Sequence, residues 1–173
     1  MIDAFCDKEA EMTKSSSSDL AGRLVAMLNA RGLVCATAES CTGGGVGSAI
    51  TSVPGSSLVF AGGVISYANE VKRNVLGVPE EILSTKGAVS PECAEAMANG
   101  ARKLLNADVA VSLTGIAGPD GASAEKPVGL VWFGISTPKG ARTERAIFPG
   151  DRAQVRAAAV DHALGMLTIA AMQ

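Results

Sequence analysis

The sequence predicts an α/β sandwich built on a mixed sheet, and three observations carry that expectation. Short apolar runs at 33–35, 109–114 and 130–135 read as buried strands, with helical apolar spacing between them. Two glycine-rich loops follow directly on two of these runs, as expected where parallel strands give way to their next elements. Pro138-Lys139-Gly140 is a turn signal, so 143–148 pairs back on 130–135 as a hairpin and makes the sheet mixed.

Length and composition set the bounds. A chain of 173 residues has the size of one domain with a substantial core. Hydrophobic residues make up 47% and aromatics only 3%, so Ala, Val and Leu must fill that core. A net charge of −2 excludes broad electrostatic binding to nucleic acid. No apolar run approaches the roughly 18 residues that span a membrane, and the start lacks the features of a signal peptide. A cytoplasmic protein with no membrane partner is expected. The cysteines (Cys6, Cys35, Cys41, Cys93) are scattered, without C-x-x-C, and His162 is the only histidine, so no metal site is expected and the thiols should be reduced.

Residues 1–18 are polar, end in a run of serines and read as a loosely ordered leader, with one domain over 19–173. Ser18 is the expected cap of a helix with the stripe Leu20, Leu24, Met27 and Leu28, closing at Gly32. The strand at 33–35 then leads into the turn Ala36-Thr37-Ala38-Glu39-Ser40-Cys41-Thr42-Gly43-Gly44-Gly45, and a helix follows that stops before Pro54. A strand is expected at 62–67, then a short helix capped by Asn69, carrying Lys72 and ending at Gly77, and a helical turn from Pro79. Ser90-Pro91-Glu92 is a strong helix start. That helix should run to about Asn106 and bury Met97, Ala101, Leu104 and Leu105. After the strand at 109–114 comes a loop over 115–127, then the hairpin. Asp151 caps a last helix with Val155, Ala159, Ala163, Met166 and Ala170 on one face.

Chemistry concentrates at the turn around Ser40, the segment of Tyr67 and Lys72, and the loop after Thr114. Loops at the carboxyl ends of parallel strands are brought together in open α/β sheets. A helix N-terminus leaves backbone N–H groups free to hold an anion or an oxyanion, and a serine on a strand-to-helix turn is placed like a nucleophile elbow. The G-x-S-x-G signature itself is absent. A structural turn whose hydroxyls only cap the helix remains open on these residues. Neither G-x-G-x-x-G nor a P-loop is complete.

A serine nucleophile needs a base. His162 lies mid-helix beside the apolar stripe, as a packing or interface residue does. A lysine with a depressed pKa is the other known partner, and Lys72 beside Arg73 is the candidate, with Tyr67 to pass a proton or orient it. Spacing alone favours a solvated Lys72 on a helix face and a half-buried Tyr67. Cys41 is a rival nucleophile at a helix start, or a cysteine packed inward. Thr114 and Gly115 begin a loop whose N–H groups suit a phosphate or an amide oxygen, or form an ordinary strand-end turn. Arg152 opens the last helix where the dipole disfavours a cation, which suggests a ligand or plain solvation.

Together, Ala38-Glu39-Ser40-Cys41-Thr42-Gly43-Gly44, Tyr67-Ala68-Asn69-Glu70-Val71-Lys72, Gly87-Ala88-Val89-Ser90, the run from Thr114 to Gly121, Lys126-Pro127-Val128-Gly129 and Gly150-Asp151-Arg152 resemble the CinA carboxy-terminal domain. The resemblance runs in order from about Leu20 to the end. It implies a three-layer α/β/α sandwich with a mixed, mostly parallel sheet, assembled as a homo-oligomer. It also implies a nicotinamide-nucleotide amidohydrolase acting on nicotinamide mononucleotide in pyridine nucleotide recycling, without metal or organic cofactor. By the same resemblance Ser40 is the nucleophile, Lys72 and Tyr67 activate it, and Thr114 and Arg152 belong to the site. Thr42, Gly43, Gly44 and Gly115 are expected to hold the substrate or its oxyanion through backbone N–H groups. The amino-terminal domain of many CinA proteins has no counterpart here, so no pyrophosphatase activity is carried over. A non-catalytic nucleotide-binding or regulatory module, and a Ser–Lys–Tyr hydrolase of another amide such as a β-lactam, are the alternatives.

Overall fold

Ser16 opens the first helix, α1 (Ser17–Arg31): its hydroxyl accepts from the Asp19 N–H, and the Asp19 carboxylate accepts from the Ser16 N–H. The cap expected at Ser18 thus lies two residues earlier, because a capping box needs an acid three residues on and Asp19 stands so only for Ser16. The computed structural model describes residues 16–173, so most of the expected leader lies outside the described residues. Gly32, in the left-handed conformation, ends α1 as its sequence implies.

Strand β1 (Cys35–Glu39) starts where the expected strand ends, so Ala36 to Glu39 is strand rather than turn. All five residues are buried between two neighbouring strands, and the short Ala36 and Ala38 let a helix layer approach closely. Helix α2 (Gly45–Thr51) follows the turn, and β2 (Phe60–Ile65) comes two residues earlier than expected. Helix α3 (Asn69–Leu76) starts from Ala68 with no side-chain cap, so Asn69 does not have the capping role. Helix α4 (Glu80–Thr85) precedes α5 (Pro91–Leu104), which Ser90 caps through the Cys93 N–H. Met97 and Ala101 are buried as expected, whereas Leu104 is 53% exposed at the fraying end of α5.

Strands β3 (Val109–Gly115), β4 (Leu130–Thr137) and β5 (Gly140–Ile147) complete a sheet of order β2-β1-β3-β4-β5. β1 is parallel to β2 and β3, while β4 is antiparallel to β3 and β5. Four strands therefore point one way and β4 alone opposes them, which is the mixed, mostly parallel sheet. The hairpin partner starts at Gly140, directly after the two-residue turn.

The side chains of β3 show how the layers form. Val109, Val111 and Leu113 face a cluster with α1, α2 and the last helix, α6 (Arg152–Met172). Ala110 faces a second cluster with Ala36, Ala38, Met97 and Ala101, under α3, α4 and α5. The second face is built of small residues, so α5 lies close: Ser112 donates to the Ala94 carbonyl, and a Cβ at Gly134 would strike the same oxygen. Small residues thus let the layers of a core poor in aromatics approach closely.

Asp151 caps α6 through the Ala153 and Gln154 N–H groups. This 21-residue helix is long and apolar enough to cross a bilayer by length and composition, against the expectation that no segment would be. Its face of Val155, Ala159, Ala163 and Leu167 is instead buried against the sheet. His162 packs between Phe133 and Phe148, at 4.5 and 5.9 Å between ring centroids with tilted rings, and its Nε2 lies 2.9 Å from Glu144 Oε1.

Candidate active site

The carboxyl ends of β2, β1 and β3 lie side by side, with Glu39 in register with Ile65 and with Leu113. The chain leaves β1 toward β2 on one side while β3 pairs on the other, a switch point that opens a crevice. A cleft of about 270 Å³ sits there, lined among others by Ser40, Tyr67, Lys72, Thr114, Gly115 and Arg152. Six of the nine residues expected in the site therefore share one cavity.

Lys72 is 1% exposed, and its Nζ lies 3.2 Å from Ser40 Oγ. The same nitrogen donates to the Ser66 carbonyl at 2.6 Å and the Tyr67 carbonyl at 3.2 Å. A neutral amine has two N–H bonds and one lone pair. With both N–H groups on carbonyl oxygens, the lone pair is left for the Ser40 hydroxyl, the one of the three hydrogen-bond partners able to donate. Burial draws the Lys72 pKa below its ordinary 10.5. Cys93 and Cys41 would oppose that shift only as thiolates, and burial pushes both thiols up to about 11. A protonated, inward-packed Cys41 is a poor nucleophile.

The turn after Ser40 is organised by Glu39. Its buried carboxylate accepts from Thr42 Oγ1 at 2.7 Å and from the N–H groups of Gly44, Val46 and Gly47 at 3.0, 3.1 and 2.9 Å. The Gly43 N–H donates to the Ser40 carbonyl at 3.1 Å. The expectation that Gly43 and Gly44 hold the substrate or its oxyanion through their N–H groups is thus corrected: the Gly43 N–H is taken by the Ser40 carbonyl and the Gly44 N–H by the Glu39 carboxylate. The N–H groups of Cys41 and Thr42 have no acceptor among the described residues. Arg156 donates to the Cys41 carbonyl at 3.1 Å and the Thr42 carbonyl at 2.8 Å, clamping the turn from outside.

Tyr67 meets Lys72 through its main chain, not its ring. The phenol is exposed, and its hydroxyl accepts from Arg152 Nη2 at 3.3 Å. Arg152 Nη1 donates to the Gly118 carbonyl at 2.9 Å, joining the start of α6 to the glycine-rich loop. Thr114 is buried and its hydroxyl donates to the Ala88 carbonyl at 2.7 Å, tying β3 to the segment before α5. A Cβ at Gly115 would lie 2.6 Å from the Leu130 carbonyl oxygen, so glycine is needed for that strand end to pair with β4. Among the described residues no cluster of His, Cys, Asp and Glu side chains suits a metal ion.

The model of the CinA C-terminal domain family matches residues 17–170. The chain belongs to that family. The nicotinamide-nucleotide amidohydrolase PncC of Escherichia coli K12 is 49% identical over 157 residues, covering 90% of this chain and 95% of that one. A CinA-like protein of Gemmatimonas aurantiaca is 47% identical over 149 residues, or 86% of this chain. The chain spans only 35% of that relative, so it matches one part of a longer protein. The crystal structure of the competence/damage inducible protein CihA from Agrobacterium tumefaciens shares the fold with a TM-score of 0.89. It is 43% identical, over 92% of this chain and 98% of that one.

Within this CinA domain, Glu39, Ser66 and Arg156 hydrogen-bond around the cleft and Asp120 lines it, and sequence reasoning did not single them out as site residues. Ser66 and Arg156 act through carbonyl oxygens, which no side-chain pattern announces. Asp120 shares the glycine-rich loop with Gly118 and lines the cleft. Glu39 had a signal: an acid that ends an apolar strand three residues before a threonine needs buried partners.

Proposed function

We propose that the chain is a nicotinamide-nucleotide amidohydrolase that hydrolyses nicotinamide mononucleotide to nicotinate mononucleotide and ammonia. The observation that carries the reading is the Ser40–Lys72 pair: a serine hydroxyl 3.2 Å from a buried amine whose other two neighbours are carbonyls. The likeness to PncC supplies the substrate class.

In this mechanism the neutral Lys72 amine takes the Ser40 proton as Oγ attacks the carboxamide carbon. The Oγ–C bond forms, the C=O π pair moves onto oxygen, and the N–H groups of Cys41 and Thr42 receive the oxyanion. The Lys72 ammonium then protonates the leaving nitrogen, the C–N bond breaks, and ammonia departs. Lys72, neutral again, deprotonates a water that attacks the acyl-serine, and returns that proton to Ser40 Oγ. Tyr67 contributes its carbonyl to Lys72 and its hydroxyl to Arg152. Arg152 faces the substrate phosphate, and Asp120 on the rim offers a counter-charge to the pyridinium nitrogen. Thr114 and Gly115 shape the floor. Cytoplasmic location and homo-oligomeric assembly belong to the same proposal; exposed Leu58 just before β2 and exposed Ile65 at its end support the assembly.

The test is ammonia release from nicotinamide mononucleotide by wild type and by Ser40→Ala. Loss on that one change supports the reading. Nucleotide binding without ammonia in wild type would favour a binding module, and turnover of β-lactams alone would favour the other hydrolase.

A further inference from the structure

Glu39 holds both halves of the Ser40–Lys72 pair. Its side chain is 1% exposed and accepts four hydrogen bonds, all from the turn and helix that follow Ser40. Its main-chain carbonyl accepts from the Ser66 N–H at 2.7 Å, and the Ser66 carbonyl in turn accepts from Lys72 Nζ at 2.6 Å. Ser40 therefore hangs from the Glu39 carboxylate through its turn, and Lys72 hangs from the Glu39 backbone through Ser66. Ser40 has only one other main-chain anchor on the donor side, its N–H on the Leu113 carbonyl at 3.0 Å.

We propose that Glu39 is a positioning residue for catalysis, setting the Ser40–Lys72 distance and the direction of the free N–H groups at Cys41 and Thr42. The inference rests on Ser40 being the nucleophile. The carboxylate supplies only acceptors, and four donors converge on it. An amide in its place retains one acceptor oxygen and turns an N–H₂ group toward an N–H donor, which opens the turn on one side. The resulting displacement lies at the attacking oxygen, not where the nucleotide's phosphate and ring would sit.

The test compares Glu39→Gln with wild type in two assays: ammonia release from nicotinamide mononucleotide, and labelling of Ser40 by an organophosphonate followed by mass spectrometry. A displaced nucleophile should lower kcat roughly 10- to 100-fold and slow labelling alike, with KM within about threefold. Thr42→Val, which removes one donor, should lower both rates severalfold, and Thr42→Ser should restore them. Wild-type labelling in Glu39→Gln and Thr42→Val, or a loss confined to KM, overturns the proposal. So does a loss that vanishes when rates are divided by the folded fraction from circular dichroism. Should Glu39→Gln not fold, the Thr42 pair decides by the same criteria. A wild type labelled at Ser40 that releases no ammonia sinks the substrate reading alone, and labelling rates still judge Glu39. A wild type that does neither overturns both.

Discussion

Tyr67 and Arg152, 85 positions apart, meet where the phenol oxygen accepts from the guanidinium at 3.3 Å, while the Tyr67 carbonyl faces Lys72 from the opposite side of the residue. One residue thus serves two parts of the cleft. Its carbonyl accepts from Lys72 and its hydroxyl from Arg152, which in the proposed mechanism are the base and the cation at the substrate end. Tyr67→Phe keeps the first and removes the second. It should raise KM severalfold, in line with one hydrogen bond of about 1 kcal/mol, and leave kcat within about threefold. A thousandfold fall in kcat would show that the phenol itself carries the proton.

Lys72 makes activity and stability depend on pH in defined directions. Its folded pKa lies below 10.5 because burial disfavours the ammonium. In the proposed mechanism the competent base is the neutral Lys72 amine, so kcat/KM should rise with pH through that lowered pKa and then level off. The unfolded chain binds the proton more tightly, so stability rises with pH between the folded value and 10.5, and that gain is lost as pH falls through the folded value. Urea midpoints across pH should therefore be steeper for wild type than for Lys72→Met. Parallel curves would contradict a depressed lysine.

Cys41 stands beside Ser40, the nucleophile of the proposed mechanism, and does not share that proposed task. With its thiol pushed up to about 11, it is protonated at neutral pH. Cys41→Ala should keep kcat within about threefold while lowering stability by about 1 kcal/mol, the scale of one lost buried group. Iodoacetamide at pH 7 should leave wild-type activity unchanged. Rapid inactivation would return Cys41 to candidacy.

Asp120 tests whether the cleft selects a cationic ring. Opposite charges about 4 Å apart near water interact by about 1 kcal/mol, so Asp120→Asn should raise KM for nicotinamide mononucleotide about fivefold. The test compares this KM with that for a neutral dihydronicotinamide analogue, which should not move. Equal effects on both would remove charge recognition from Asp120.

The elements were legible where local signals are strong. Gly32 and Gly77 end their helices, and Ser90 and Asp151 start theirs, because capping is a matter of a few adjacent residues. Strand limits were less legible. Ala36 and Ala38 lack the apolar bulk that marks a strand, and only burial between β2 and β3 makes them one. In the cleft, Ser40, Lys72, Thr114 and Arg152 stand out as reactive side chains in recognisable motifs. The fate of the glycine-turn N–H groups was not legible, since Glu39 reaches them only after the turn has closed.

The sequence by itself determined the alternation of strands and helices, the caps at Gly32, Gly77, Ser90 and Asp151, the mixed sheet and the set of reactive residues, because each rests on neighbours within a turn or a strand. Tertiary structure alone decided that Lys72 is buried against Ser40, that Glu39 fills the helix start, and that the Tyr67 ring turns to Arg152. Those contacts join residues brought together only when β1, β2 and β3 pair and α6 closes over them. Burial then fixes their chemistry, since an amine or a carboxylate removed from water takes its character from the few atoms that touch it.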